Sequence, residues 1–126
     1  AEEYVYAFIF QGHAKRVLIA PDELLGWKPD KALGYFDLVI VPMGISNINP
    51  LSGETNIPSN HPVLNMEATF EETLIILDGI DADRIIMTHI EELDRLNYDD
   101  FIELEAMLAK QGRNIKFAYD GLIIDV

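Results

Sequence analysis

The sequence has no cysteine, few basic residues and no long apolar run. Without cysteine the chain forms neither disulfides nor thiolate metal sites, which favours a reducing, cytoplasmic compartment. Only 9 lysines and arginines stand against 22 aspartates and glutamates, giving a net charge of −13. This balance argues against binding to nucleic-acid phosphates or to anionic membranes. No apolar stretch approaches the roughly 20 residues that span a bilayer.

Apolar residues are nevertheless plentiful and indicate a folded protein. Hydrophobic residues make up 49% of the 126 positions, and this length suits one domain with a modest core. We therefore treat residues 1–126 as a single domain. The chain begins without an initiator methionine and passes directly from Ala1-Glu2-Glu3 into a β-type run. Both a processed start and a chain cut from a larger protein fit this beginning.

Runs of β-branched and aromatic residues predict strands at 3–11, 15–20 and 36–43, with a Gly12-His13 turn that makes the first two a hairpin. The third run is apolar nearly throughout, as is typical of a strand buried on both faces. Residues 44–67 form a long polar stretch with three prolines. Loops of this length in compact domains are often lids or binding loops.

The second half of the chain alternates predicted helices and strands. Thr69 and Glu72 form a capping-box signature for a helix that ends at Gly79, and Asn97 caps a second helix over 98–111. A strand at 84–89 lies between them. Two closing strands, 115–119 and 122–126, flank an Asp120-Gly121 hairpin signal. The predicted class is therefore α/β.

Two polar residues follow predicted strands and are candidate metal ligands. Asp22 follows the second strand and His89 ends the fourth. Ligand-binding residues of layered α/β folds gather at the carboxyl ends of strands, and a carboxylate with an imidazole is a partial set for zinc, manganese or iron. Taken singly, each has a simpler interpretation: His89 as a hydrogen-bonded strand-end residue, and Asp22 as the N-cap of a helical turn in "ELLG".

Two other side chains have both a functional and a simpler interpretation. His61 in the long loop is either a solvated histidine, the simpler case, or a proton donor or phosphate contact. Trp27 either covers an apolar pocket, again the simpler case, or lines a substrate cleft.

Together these segments resemble the second half of the metallo-β-lactamase-fold hydrolases, especially the phosphodiesterase branch that includes ribonuclease Z. In "KRVLIAPDEL", Asp22 matches the aspartate that bridges two metal ions in that branch. "FDLVIVPMG" matches the buried strand that follows, and "TFEETL" matches the next helix. In "RIIMTHIEE", His89 matches the histidine that binds the second metal. The resemblance covers most of residues 4–126.

The chain departs from the family pattern in two places. The His-x-His-x-Asp-His cluster and the third-motif histidine are absent, because the sequence holds only three histidines and none is so spaced. The resemblance places these ligands before Ala1 and so implies the C-terminal half of a larger hydrolase. The branch also has a catalytic histidine just before the "TFEETL" helix, where this chain has Glu67. Either Glu67 replaces it or His61 reaches in from the loop.

The resemblance implies half of an αββα sandwich, with one mixed sheet flanked by two main helices. It further implies a site for two divalent ions, zinc or manganese, and a small phosphoester or related substrate. The N-terminal half of the same protein would be the main partner. We expect the isolated chain to be inactive, to bind metal weakly and to associate with other copies through its uncovered apolar sheet face. The alternatives are a non-catalytic acidic α/β binding domain and a degenerate family member retained as a scaffold.

Overall fold

The computed structural model describes residues 7–88 and 95–126. Within them lie five strands and two α-helices, together with short 3-10 helices at Lys31–Leu33 and Pro62–Asn65. The regular elements in chain order are β1 Phe8–Gly12, β2 Lys15–Ile19, β3 Tyr35–Pro42, α1 Phe70–Asp78, β4 Asp81–Thr88, α2 Tyr98–Lys110 and β5 Ile115–Phe117. The predicted α/β class, with one mixed sheet and two main helices, is confirmed.

The sheet has the strand order β1-β2-β3-β4-β5, so each strand neighbours the next in sequence. β1 and β2 pair antiparallel, whereas β2, β3, β4 and β5 run parallel. Parallel strands end at the same edge of a sheet. The segments that leave β2, β3 and β4 therefore emerge side by side, with β3 between the other two. We call this the carboxyl edge.

The hairpin between β1 and β2 turns at His13 and Ala14, one residue later than predicted. Gly12 remains paired with Lys15, which leaves a two-residue loop. Both loop residues have positive φ, 50° for His13 and 59° for Ala14. Such turns match the right-handed twist of the strands they join. Among the described residues β1 begins at Phe8. The predicted strand began at residue 3, and residues 3–6 lie outside the described part of the chain.

One face of the sheet carries the core. The paired residues Leu18, Val39, Ile85 and Ile115 form one row across four strands and point to the same side. Both helices pack their apolar residues into the same cluster, which includes Phe70, Leu77, Leu104 and Leu108. Each such fully buried side chain contributes about 1.5–3 kcal/mol. The helices therefore hold the strands, and their carboxyl ends, in a fixed arrangement.

The second face is also apolar but is less covered. One row runs Phe8, Ile19, Ile40, Ile86, and another runs Phe10, Val17, Leu38. Leu38 and Ile86 are buried, whereas Phe8 is 51% and Phe10 56% exposed. The apolar exposure is thus concentrated at β1, which is an edge strand.

α1 begins with the capping box that the sequence predicts, and α2 begins at the predicted cap, Asn97, which also forms a capping box. Thr69 accepts from the backbone of Glu72 while the Glu72 carboxylate accepts from the backbone of Thr69. Asn97 and Asp100 repeat the arrangement at α2. Gly79 follows α1 as its C-cap, as predicted.

The predicted closing hairpin is wrong. The turn at Asp120-Gly121 forms, with Leu122 N–H donating to the Tyr119 carbonyl at 3.1 Å. Residues 122–126, however, are not a strand. The Glu105 carboxylate of α2 accepts the outward N–H of Phe117 at 2.9 Å, so a side chain occupies the position on β5 that a further strand would use.

β4 starts at Asp81, three residues before the predicted start at 84. The first two residues of β4 pair with the start of β3, Asp81 with Tyr35 and Ala82 with Phe36. The prediction missed this extension because it relied on apolar residues, and Asp81 and Asp83 are polar.

Candidate functional site: the carboxyl edge

Asp22 lies in the loop just beyond β2, at the carboxyl edge. Ala20 still donates its N–H to the Ile40 carbonyl at 2.9 Å, so the backbone is anchored to β3 until two residues before Asp22. The Asp22 side chain is exposed, and it makes no hydrogen bond or ion pair to any described residue. No helix follows it, so the simpler interpretation of Asp22 as an N-cap is wrong. Its carboxylate is available to a ligand.

Glu23, which sequence reasoning missed, makes the local hydrogen bonds instead. Its Oε1 atom accepts the N–H groups of Leu24 and Leu25 at 2.8 Å each. The same oxygen accepts the N–H of Ala68, also at 2.8 Å, across 45 positions of sequence. The loop after β2 is therefore joined to the segment that enters α1. The sequence carries no signal for this contact because its two ends are far apart.

The exit of β3 lies against that same segment. Ile45 N–H donates to the Ala68 carbonyl at 2.9 Å, and Phe70 N–H donates to the Ile45 carbonyl at 2.8 Å. Gly44 permits this approach: its φ is +83°, and a Cβ there would lie 2.7 Å from the Ala68 carbonyl and from Thr73 Oγ1. Only glycine fits this position without displacement.

The exit of β4 is tied to β3. Met43 N–H donates to the Thr88 carbonyl at 2.9 Å, and Thr88 Oγ1 donates to the Val41 carbonyl at 3.4 Å. Thr88 is thus held at the carboxyl edge beside the β3 exit. His89 comes next in the sequence but lies outside the described residues, as do 90–94, so its predicted role has no structural test.

Glu67 and His61 belong to the segment between β3 and α1. Glu67 is half-buried and directly precedes Ala68, which places its backbone close to the loop that carries Asp22 and Glu23. His61 is exposed and is the N-cap of the 3-10 helix Pro62–Asn65; its Nδ1 accepts the N–H of Val63 at 3.1 Å. No hydrogen bond or ion pair between described residues joins His61 to Asp22. The structure therefore joins the residue after Asp22 to the residue after Glu67, through the Glu23 side chain and the Ala68 backbone, and leaves His61 as a surface loop residue.

Of the two predicted metal ligands, only Asp22 lies among the described residues. Asp22 offers an exposed carboxylate at the same edge as Thr88, and carboxylate oxygen suits both zinc and manganese. Across residues 7–88 and 95–126, no three His, Asp or Glu side chains gather as a potential metal-binding group. A catalytic zinc normally has three protein ligands. The described part of the chain therefore offers one exposed ligand at this edge and no complete site.

Trp27 packs against the core and borders a small cavity of about 250 Å³ next to the Asp22 loop. The other lining residues are Ala7, Ala20, Glu23, Leu24, Leu25 and Gly26. Trp27 thus borders a pocket, as both of its predicted roles require.

A larger groove of about 660 Å³ lies between α2, β5 and the C-terminal segment, and Asp22, Glu67 and Thr88 are not among its lining residues. Its walls are mainly apolar and aromatic, with Tyr98, Phe101 and Ile102 on the helix side. Its lining holds two basic and two acidic residues: Lys116 pairs with Glu105 at 3.7 Å, and Arg84 donates to the backbone carbonyl of Asp125 at 2.6 Å. The groove thus favours a neutral, apolar occupant.

Acidic residues surround Tyr35 at the opposite, amino edge. Partial desolvation of the phenol, followed by the carboxylates of Asp83, Asp37 and Asp81, raises the pKa of Tyr35 above its ordinary value of 10.0. Asp37 is itself held by Lys15 at 3.7 Å and by the Arg16 N–H at 2.8 Å.

Comparison with models of protein families, with curated proteins and with solved structures finds no match to this chain. Among the helices of the described ranges, none has the length and apolar character required to cross a membrane.

Proposed function

We propose that this chain is the C-terminal part of a cytoplasmic metal-dependent hydrolase of the metallo-β-lactamase superfamily. The enzyme acts on a phosphoester or a related small ester with a dinuclear zinc or manganese site. One observation carries the proposal: parallel strands β2 and β4, with β3 between them, end at one edge. Asp22 lies just beyond β2, and Thr88, which precedes His89 in sequence, ends β4 at that edge.

Asp22 and His89 are the ligands that this chain contributes. Among the described residues the exposed Asp22 carboxylate makes no hydrogen bond or ion pair, and it would be one of the groups that hold the ions. A neutral imidazole completes one ion without adding charge. The remaining ligands belong to the N-terminal half of the same protein, which would pack against this half to complete an αββα sandwich. When bound, the ions supply Lewis acidity toward water and toward the substrate oxygens.

Glu67 and His61 are the candidates for proton transfer. Glu67 is favoured by position, since Ala68 beside it is bonded to the Asp22 loop through Glu23. His61 uses Nδ1 to accept from Val63, which leaves Nε2 as the ring atom that can carry a proton to or from a substrate. The half-buried setting of Glu67 suits a group that works at a site from which water is partly excluded.

The test is hydrolysis of bis-p-nitrophenyl phosphate by the full translation product of the gene, purified with Zn²⁺ or Mn²⁺. We expect Asp22→Asn and His89→Ala each to lower kcat by at least about 100-fold, because even outer partners of metal ligands account for roughly 10- to 100-fold. Asp81→Asn, which alters an exposed carboxylate at the opposite, amino edge, should leave kcat unchanged. Full activity in Asp22→Asn would contradict the proposal.

A second candidate is a non-catalytic acidic α/β binding or scaffold domain, and the groove beside α2 favours it. Sites for small molecules are commonly concave, largely apolar and of about 300–1,000 Å³. If this reading holds, substitution of Phe101 in the groove wall abolishes binding of an apolar fluorescent probe, while metal ions and Asp22→Asn have no effect on any measured property.

A further inference from the structure

The hydrogen bonds around β2 show which backbone groups of β1 point outward. Just beyond β2, Ala20 N–H donates to a carbonyl of β3 at 2.9 Å, so the backbone of Ala20 faces β3. Backbone groups point to opposite sides at successive residues of a strand, so Ile19 and Val17 face β1. Their partners on β1 are Phe8 and Phe10, which therefore direct their backbone groups toward β2.

Ile9 and Gln11 must then direct their N–H and C=O groups away from β2, along the outer edge of the sheet. Among the described strands, β1 pairs with β2 alone. The strand Phe8–Gly12 holds no proline, bulge or charged side chain, which are common protections of a sheet edge. The opposite edge is protected, since Glu105 accepts the outward N–H of Phe117. β1 is thus the open edge of this sheet.

The charges around β1 favour a second copy of the same edge as its partner. Each copy carries a net charge of −13, but β1 itself is uncharged, so two copies can meet here without direct repulsion. The hairpin is basic at one end, where Lys15 and Arg16 have the single carboxylate partner Asp37, and acidic at the other, where Asp22 and Glu23 follow β2. An antiparallel approach brings unlike ends together, and a parallel one brings like ends together. These charges act across three strand spacings, roughly 14 Å, so they orient the approach while backbone bonds hold it.

We propose that the outer edge of β1 pairs antiparallel with the β1 edge of a second copy, which extends one sheet across both chains. The outward groups of Ile9 and Gln11 are symmetric about Phe10. A two-fold axis beside Phe10 therefore pairs Ile9 of each copy with Gln11 of the other and bonds all of these groups. The two Phe10 rings then lie directly opposite each other and cover part of their exposed surface. This pairing does not depend on the proposed function.

The absence of cysteine allows the register to be tested with single introduced cysteines. Phe10→Cys puts two thiols in a directly opposed pair, with Cα atoms about 4.5 Å apart, which a disulfide can span. Phe8→Cys is the matched control, since Phe8 lies on the same face and is similarly exposed, at 51% against 56%. In this register the two Phe8 residues are roughly 14 Å apart. With oxidised glutathione, we expect at least about tenfold more disulfide dimer from Phe10→Cys than from Phe8→Cys.

A second measurement isolates the outward N–H of Gln11. Gln11→Pro removes this N–H without removing a bond to β2, a substitution that edge strands tolerate. Gln11→Ala is the matched control, because it alters the side chain and keeps the N–H. In sedimentation equilibrium, we expect the dimer dissociation constant to rise at least about tenfold in Gln11→Pro, since the symmetric dimer loses two hydrogen bonds, and to stay within about threefold in Gln11→Ala. Should Gln11→Pro fail to fold, Ile9→Pro against Ile9→Ala makes the same comparison.

Other results would overturn the proposal. A parent chain that stays monomeric would mean that a second copy is not the partner of this edge. Equal disulfide yields from Phe8→Cys and Phe10→Cys would exclude a two-fold axis beside Phe10. A folded Gln11→Pro variant that associates as tightly as Gln11→Ala would show that apolar side chains, and not the backbone edge, hold the copies together.

Discussion

The backbone N–H of Met43 donates to the carbonyl of Thr88 at 2.9 Å, which holds the last residue of β4 beside the exit of β3. The bond extends the parallel pairing of the two strands to the residue directly before His89. Together with the Glu23–Ala68 bond on the other side of β3, it makes the carboxyl edge a connected structure. Rigid support of this kind is what a preorganised site requires.

The tight packing at Gly44 gives the first prediction. An alanine Cβ at this position would approach the Ala68 carbonyl and Thr73 Oγ1 to 2.7 Å, and φ is +83°. We expect Gly44→Ala to lower the free energy of unfolding by roughly 1–2 kcal/mol from backbone strain and a further 1–3 kcal/mol from overpacking. Urea denaturation measures the change.

Gly53→Ala is the matched control for that substitution. Its φ is +79°, but a Cβ there meets nothing within 4 Å. Only the strain contribution, roughly 1–2 kcal/mol, should appear. Equal losses in the two variants would contradict the close approach of α1 to the β3 exit.

The pKa of Tyr35 gives a prediction about pH. Desolvation and the carboxylates of Asp83, Asp37 and Asp81 raise it in the folded state. Because the pKa of Tyr35 is higher in the folded state, the native state binds more protons than the unfolded state at pH values between the ordinary pKa of 10.0 and the folded pKa. The stability contribution of Tyr35 is therefore present below about pH 10 and is lost as the pH rises through the folded pKa.

Ultraviolet titration of tyrosinate, taken as the difference between the parent and Tyr35→Phe, measures this pKa. Asp83→Asn should move it toward 10.0, because Asp83 is the largest electrostatic cause. A Tyr35 that titrates at or below its ordinary value in the parent chain would show that the acidic surroundings do not act on the phenol.

The exposed apolar residues of β1 predict self-association. Phe8 and Phe10 share the second sheet face and are each more than half exposed, at 51% and 56%. Contiguous apolar surface of this kind is unusual on a monomer, and a two-fold contact buries it on both copies. The charge of −13 opposes unlimited growth, so we expect a small closed oligomer in sedimentation velocity.

A double substitution, Phe8→Lys with Phe10→Lys, should give a monomer. Ile75→Lys is its control, since Ile75 is 69% exposed on α1 and lies away from that face. A parent chain that sediments as a monomer would remove the expectation of association altogether.

The sequence predicted local features well because their determinants are close together. The predicted capping box of Thr69 and Glu72 and the predicted cap at Asn97 depend on residues only a few positions apart, and both are present. Strand ends were also predictable at the carboxyl edge, because Pro21 and the change to polar residues after Pro42 interrupt the apolar runs. The parallel order of β2, β3 and β4 follows from the long connections between them.

Features that depend on distant partners were not predictable. Glu23 bonds to Ala68 across 45 positions, so nothing near Glu23 distinguishes it from any loop carboxylate. The failed closing hairpin has the same cause: Leu122 to Val126 has strong β propensity, but Glu105, on α2, occupies the edge of β5. In both cases a contact with a residue distant in sequence determined the structure, and the local sequence pattern did not reveal it.

The most direct test of the central claim is whether Asp22 and His89 bind the same metal ion. A Zn²⁺ titration of the ¹⁵N-labelled chain, observed at the imidazole nitrogens of His89, provides it. We predict that Zn²⁺ shifts one His89 ring nitrogen, that the affinity is weak, and that Asp22→Asn removes the shift while Asp81→Asn, at the amino edge, keeps it. A His89 resonance that does not shift with Zn²⁺, or that shifts as much in Asp22→Asn as in the parent chain, would contradict a shared metal site at the carboxyl edge.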